Sequence, residues 1–121
     1  KKKLFVRYGG PVESGRGFVL HSDDMVRQET INIDKGVALT STVDFFEDLA
    51  KGKGPKNSIL ALGYAGWGPG QLESEIMQNS WMSLSVDTSF LFDDEVSYKW
   101  NQAFKILGVD PSNLSTKSGK A

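Results

Sequence analysis

Short apolar runs broken by glycine and polar residues open this chain, and helical spacing enters only after residue 40. Leu4 to Tyr8 reads as a first strand, ended by Gly9-Gly10-Pro11. Gly17 to His21 reads as a second. It is entered through a turn at Glu13-Ser14-Gly15 and left through the polar break Ser22-Asp23-Asp24. From Glu29 to Asp34 the pattern alternates with Ile31 and Ile33 on one face, so a half-buried strand is expected. Asp34-Lys35-Gly36 then predicts a hairpin turn into Val37-Ala38-Leu39.

Ser41-Thr42-Val43-Asp44 has capping-box spacing with Ser41 as N-cap. Phe45, Phe46, Leu49 and Ala50 follow as an apolar stripe, and Gly52 supplies the stop. Ser58 to Ala65 predicts a mostly apolar strand covered on both faces. Gln71 to Gln78 reads as a short helix with Leu72 and Ile76 inward and Asn79 as a left-handed C-cap. Trp81 to Val86 reads as a further strand. The longest helix starts at Asp93 or Asp94, aligns Val96, Trp100, Ala103, Phe104 and Leu107, and stops at Gly108. Asp110-Pro111 has the form of one more helical start. Residues 115–121 have nothing to bury and read as a loose tail. Strands and helices mix without strict alternation, which predicts an α+β fold rather than a doubly wound sheet.

A chain of 121 residues fits one domain, 1–121, and its 39% apolar content can build a core without disulfide or metal staples. The absence of cysteine removes thiol nucleophiles and thiolate metal sites and agrees with a reducing compartment. A formal charge of −1 and a pI of about 5.8 provide no global field for nucleic acid, and no helix-turn-helix signal is present. No apolar run approaches the ~20 residues of a membrane span. Lys1-Lys2-Lys3 precede an apolar run too short for a signal-peptide core. The chain does not begin with Met and opens inside a strand pattern, which reads as a fragment.

Candidate chemistry concentrates between Leu60 and Glu75, where an apolar run meets a glycine-rich turn that opens a helix. Gly63 and Gly66 permit positive φ or close backbone approach, Pro69 presets φ, and Gly70 lets the chain enter the helix. Such a turn can aim N–H groups at a phosphate or carboxylate. Glu73 and Glu75 in the first turn oppose a bound anion, and no Lys-Ser or Lys-Thr follows the glycines as in a P-loop. Asp87 lies roughly ~20 residues beyond the first glycines, as a dinucleotide site would require. Gly66-Trp67-Gly68-Pro69-Gly70-Gln71 nevertheless lacks the last glycine of that pattern, and the helix is short for a crossover. A purely structural turn is the simplest reading.

Gly9-Gly10-Pro11-Val12 reads as a strand exit, with a second wall of a pocket beside Tyr64 and Trp67 as the functional alternative. Trp67 sits inside a glycine turn, where a large ring is hard to bury, and is the residue expected at a pocket or interface. His21 is the only histidine. Its neighbours Ser22 and Asp23 do not make a triad by adjacency, there is no nucleophile elbow, and a strand-end hydrogen-bonding role suffices. One histidine without cysteine makes no zinc site. Capping explains Asp93, Asp94 and Glu95, and Lys51, Lys53 and Lys56 read as a solvated loop. No catalytic residue, metal ligand or cofactor is predicted.

Gly9-Gly10-Pro11-Val12, Gly17-Phe18-Val19-Leu20-His21, Gly63-Tyr64-Ala65-Gly66-Trp67, Gly70-Gln71-Leu72-Glu73 and Trp81 stand in the order seen in the bacterial AlgH/YqgE family. The chain resembles that family over nearly its whole length. The resemblance implies a cytoplasmic α+β domain whose mostly antiparallel sheet curls into a partly barrel-like form and packs with helices. It implies no established enzymatic activity and no catalytic residues. The family's name comes from a proposed role in regulating alginate production, which extends to transcriptional regulation. Gly63, Tyr64, Trp67, Gly70, Gln71 and Glu73 carry over as site-forming positions. Family members also carry a substantial segment before the Gly-Gly-Pro-Val strand. Without it, apolar edges are expected to be exposed unless a partner covers them.

The leading reading is a non-enzymatic, regulatory domain acting through protein contact. Its site comprises Gly9, Gly10, Pro11, Gly63, Tyr64, Gly66, Trp67, Gly70, Gln71 and Glu73. The alternative is a small-molecule or nucleotide-binding protein, an enzyme included, that uses the Gly63–Glu73 turn as a pocket wall. Expected partners are a protein or a small molecule, self-association stays open, and neither membrane nor direct nucleic-acid binding is expected.

Overall fold

Alternating apolar positions in the first half of the chain build five strands, β1 Val6–Tyr8, β2 Val12–His21, β3 Ile31–Asp34, β4 Val37–Thr40 and β5 Ser58–Tyr64. One helix, α1 Val43–Ala50, interrupts them. The second half holds α2 Gln71–Met77, α3 Thr88–Leu91 and α4 Val96–Leu107. The computed structural model describes residues 5–93 and 96–109. Leu4, the Asp94 cap, the Asp110-Pro111 turn and the 115–121 tail lie outside them. The chain divides into two units, Lys1–Gly66 and Trp67–Ala121.

The first unit is an α+β layer. Its sheet runs β1-β5-β2-β4-β3, with β1 parallel to β5 and the other three pairings antiparallel. The sheet does not close, and β1 and β3 remain edges. The Asp34-Lys35-Gly36 turn forms as expected, with Gly36 at φ 81° between β3 and β4. The turn expected at Glu13-Ser14-Gly15 is instead an irregularity within β2. Five positions from Val12 to Gly17 pass only two of β5, from Tyr64 to Leu62, and Glu13 takes φ 46°. The chain bends without reversing because both ends of the irregularity pair with the same strand.

Period-2 alternation sorts the sheet's side chains between two faces. Val19 and Leu60 pair on one face, where Val19 joins Phe45 and Leu49 of α1 in the core, with Phe46 and Met25 packed against it. Phe18 and Leu20 pair with Ala61 and Ile59 on the other face, joined by Leu39. Within this unit a helix covers only the first face, so the expectation of β5 buried on both sides is corrected. Ile31 and Ile33 are likewise not half-buried; Ile31 is 58% exposed because β3 is an edge strand. The α1 N-cap is Thr42, in extended conformation and without a side-chain capping bond, rather than Ser41. Gly52 at φ 78° ends the helix as expected.

The regular elements among the described residues of the second unit are all helices. Residues 81–87 form no strand, having no extended neighbour within the unit to pair with. Asp87, weighed as a ribose-binding acid, is instead the N-cap of α3 and accepts the Phe90 N–H at 2.9 Å. Asn79 does take the left-handed conformation after α2, at φ 64°. No residue of α2 is fully buried: Leu72 is half-buried as an inward position, whereas Ile76 is exposed. In α4 Phe104 is buried, whereas Trp100 lies edge-on to it and is 61% exposed. No helix among the described residues is long and apolar enough to cross a membrane.

Candidate functional site

The glycine motifs meet in the first unit through backbone contact. Gly9 N–H donates to the Leu62 carbonyl at 2.8 Å, which extends the β1–β5 pairing to Gly9. A Cβ on Gly10 would lie 2.2 Å from the Tyr64 carbonyl carbon. A Cβ on Gly63, at φ 77°, would lie 2.3 Å from the Gly10 carbonyl oxygen. Two main chains therefore touch where side chains are missing. Pro11 follows this crossing and is exposed. Gly66 has an ordinary φ and room for a side chain.

Beside this crossing the sheet face opposite α1 forms a hollow of about 450 Å³. Phe18, Leu20, Leu39, Ile59 and Ala61 make its apolar floor, and Arg16 and Tyr64 stand at one end. The Arg16 guanidinium lies over the Phe18 ring at 4.9 Å, and Tyr64 meets that ring edge-on at 5.7 Å. Glu13 links the two. Its Oε2 accepts the Tyr64 hydroxyl at 2.9 Å, and its Oε1 is 3.7 Å from Arg16. The hydrogen bond to Glu13, with some burial, raises the Tyr64 phenol above its ordinary pKa.

His21 is fully buried on the α1 side and lies against Phe45, with ring centroids 4.6 Å apart. Its Nδ1 donates to the Ser22 carbonyl at 2.7 Å, and its Nε2 meets the Thr40 hydroxyl at 2.8 Å. Thr40 continues to Thr30 at 2.8 Å. Both ring nitrogens are engaged, so the imidazole is a core hydrogen-bonding residue with no access to substrate. Nearby, Arg27 ties the loop before β3 to α1 through Asp48 and Asp44.

In the second unit the glycine turn uses its own polar groups. Gly70 enters α2 at φ 75°. The Gly68 N–H donates to Gln71 Oε1 at 2.9 Å, Gln71 N–H to the Gly68 carbonyl at 3.0 Å, and Ser74 N–H to the Gly70 carbonyl at 3.1 Å. Glu73 sits exposed in the first turn. Glu75 has a different task. Its Oε1 accepts the Trp81 indole N–H at 2.8 Å and the Trp67 indole N–H at 3.1 Å, and its Oε2 accepts the Gln71 amide at 3.0 Å. Those three donors hold the Glu75 carboxyl below the usual carboxylate range. The two indoles meet edge-on at 5.7 Å. Trp67 is fixed yet 37% exposed, and Met77 on α2 is 85% exposed.

A family model described as AlgH-like matches residues 2–112. The chain belongs to the AlgH-like family. Among AlgH-like relatives, the UPF0301 protein blr1492 of Bradyrhizobium diazoefficiens is 52% identical over 121 residues, which covers 99% of this chain and 56% of that protein. The UPF0301 protein of Beijerinckia indica is 53% identical over 114 residues, covering 93% of this chain and 56% of its own length. The solution structure of the AlgH protein from Pseudomonas aeruginosa superposes with a TM-score of 0.76 at 38% identity, over 88% of this chain and 56% of that one. The chain thus spans little more than half the length of these AlgH-like proteins.

The expected site residues fall into two groups. Gly9, Gly10, Gly63 and Tyr64 come together in the first unit, and Trp67, Gly70 and Gln71 in the second. Sequence reasoning missed Glu75, Arg16 and Phe18. Two tryptophans flanking one glutamate were the available sign for the first. Arg16-x-Phe18 on a strand, where alternate residues share a face, was the sign for the others.

Proposed function

We propose that this chain acts through protein contact rather than chemistry, as a regulatory domain of the cytoplasm, with the Trp67 surface of the second unit as its contact patch. The observation that carries this reading is the hydrogen bonding around the glycine turn. The Gly68 and Gln71 amides are paired within the turn itself, which takes two N–H groups away from any cradle for a nucleotide phosphate. Glu75 meanwhile fixes two half-exposed indoles in one arrangement, on a unit that also exposes Ile76 and Met77. Rigid aromatic anchors with methionine beside them in sequence are what a protein partner uses, because little side-chain entropy is lost on binding. Among the described residues no three His, Asp or Glu side chains gather as a metal site would need.

A photo-cross-linker at Met77, in the native host, is expected to capture a discrete protein adduct that W67A abolishes. A thermal-shift panel of nucleotides and coenzymes is expected to leave Tm unmoved. A ligand at a hundred times its Kd would add about 2.7 kcal/mol. A saturable shift from a nucleotide, lost in Q71A, would refute the protein-contact reading.

A further inference from the structure

The apolar hollow on the sheet face of the first unit is left unexplained by the contact surface proposed for the second. We propose that this hollow binds a medium-chain aliphatic carboxylate, its chain along β2 and its carboxylate on Arg16. The floor is wholly hydrocarbon, from Phe18, Leu20, Leu39, Ile59 and Ala61, and the Arg16 guanidinium stands at one end only. A volume of about 450 Å³ with few polar groups is the form of a small-molecule site. From Arg16 to Leu20 the strand advances four residues, about 13 Å of open-face floor. That length suits one unbranched chain lying flat.

The cation is preorganised. Its stacking on the Phe18 ring at 4.9 Å sets its position, with the Glu13 carboxylate 3.7 Å away. At 3.7 Å the Glu13 contact is an ion pair without a hydrogen bond, so the guanidinium N–H fork stays open to a bidentate carboxylate. Glu13 is also the built-in competitor for that fork, although Tyr64 takes up its other oxygen. The head group is therefore anionic, and weakening Glu13 should tighten binding.

Sodium decanoate below its micelle concentration is the probe, titrated into the full chain and followed by amide and methyl chemical shifts. Decylammonium, decyl maltoside and phosphatidylglycerol vesicles run in parallel. Saturable shifts confined to Phe18, Leu20, Leu39 and Ile59 are expected, with decanoate bound more tightly than either decyl control. R16Q should weaken decanoate about tenfold, the loss of a charge-assisted hydrogen-bonded pair at a half-open site. E13Q should strengthen it, and L39E should abolish it while leaving the Trp67 and Trp81 signals in place. Equal binding of the three decyl compounds, indifference to R16Q, or binding to vesicles alone would overturn the proposal. Shifts confined to Trp67 and Trp81 would also overturn it and leave the contact surface of the second unit standing.

Discussion

Replacing Gly63 by alanine decides whether the glycine block is shaped by backbone fit. Gly63 has φ 77°, and its new Cβ would lie 2.3 Å from the Gly10 carbonyl oxygen and 3.2 Å from Val12 O and Ser14 Cα. A left-handed conformation costs an alanine roughly 1–2 kcal/mol. The overlap is with backbone, which no rotamer change relieves, so the β1 exit must move at a further cost of about 1–3 kcal/mol. The sum, about 2–5 kcal/mol, is a large share of the ~5–15 kcal/mol that holds a domain folded. Urea unfolding followed by far-ultraviolet circular dichroism is the assay, because it follows the sheet directly, whereas Trp67, Trp81 and Trp100 all belong to the other unit. With a slope of about 1–3 kcal/mol/M, the midpoint should fall by roughly 1 M or more. Gly66→Ala is the control. Its Cβ would meet only Tyr64 Cε2, at 3.7 Å, so its effect should stay within about 0.5 kcal/mol. An unchanged midpoint for Gly63→Ala, or equal losses for the two variants, would refute the backbone explanation and return the motif to a ligand.

Thr40→Val leaves His21 Nε2 and the Thr30 hydroxyl without their buried partner and should cost about 1–3 kcal/mol by urea unfolding; an unchanged midpoint would show that the network contributes nothing. The Glu75 pKa is depressed in the folded chain, so its stabilisation is complete above the unfolded value of about 4.3 and is lost as pH falls through the folded value. Tryptophan emission should change over that acidic range in the wild type, and E75Q should remove the transition. Tyr64 behaves with the opposite sense. Its raised pKa favours the neutral phenol, a contribution present below the unfolded value of about 10 and lost as pH rises through the folded one. Phenolate absorbance in E13Q should appear at lower pH than in the wild type, and coincident titrations would contradict the Glu13 contact.

Local chemistry in the sequence determined the α+β class, the Asp34-Lys35-Gly36 hairpin, the α1 stripe, the left-handed Asn79 and the glycine stops at Gly52 and Gly108. Each depends on the period of a few apolar residues or on a conformation that one residue type adopts cheaply. Tertiary structure alone decided that α1 packs on only one face of β5, that Trp81 to Val86 forms no strand, and that Gly10 meets Gly63. It also decided that Glu75 accepts hydrogen bonds from two indoles. A strand requires a neighbour, a covered face requires a second layer, and a hydrogen-bond hub requires donors from separate segments. Such outcomes are set by which distant residues meet, and the local pattern of polar and apolar side chains does not encode that meeting.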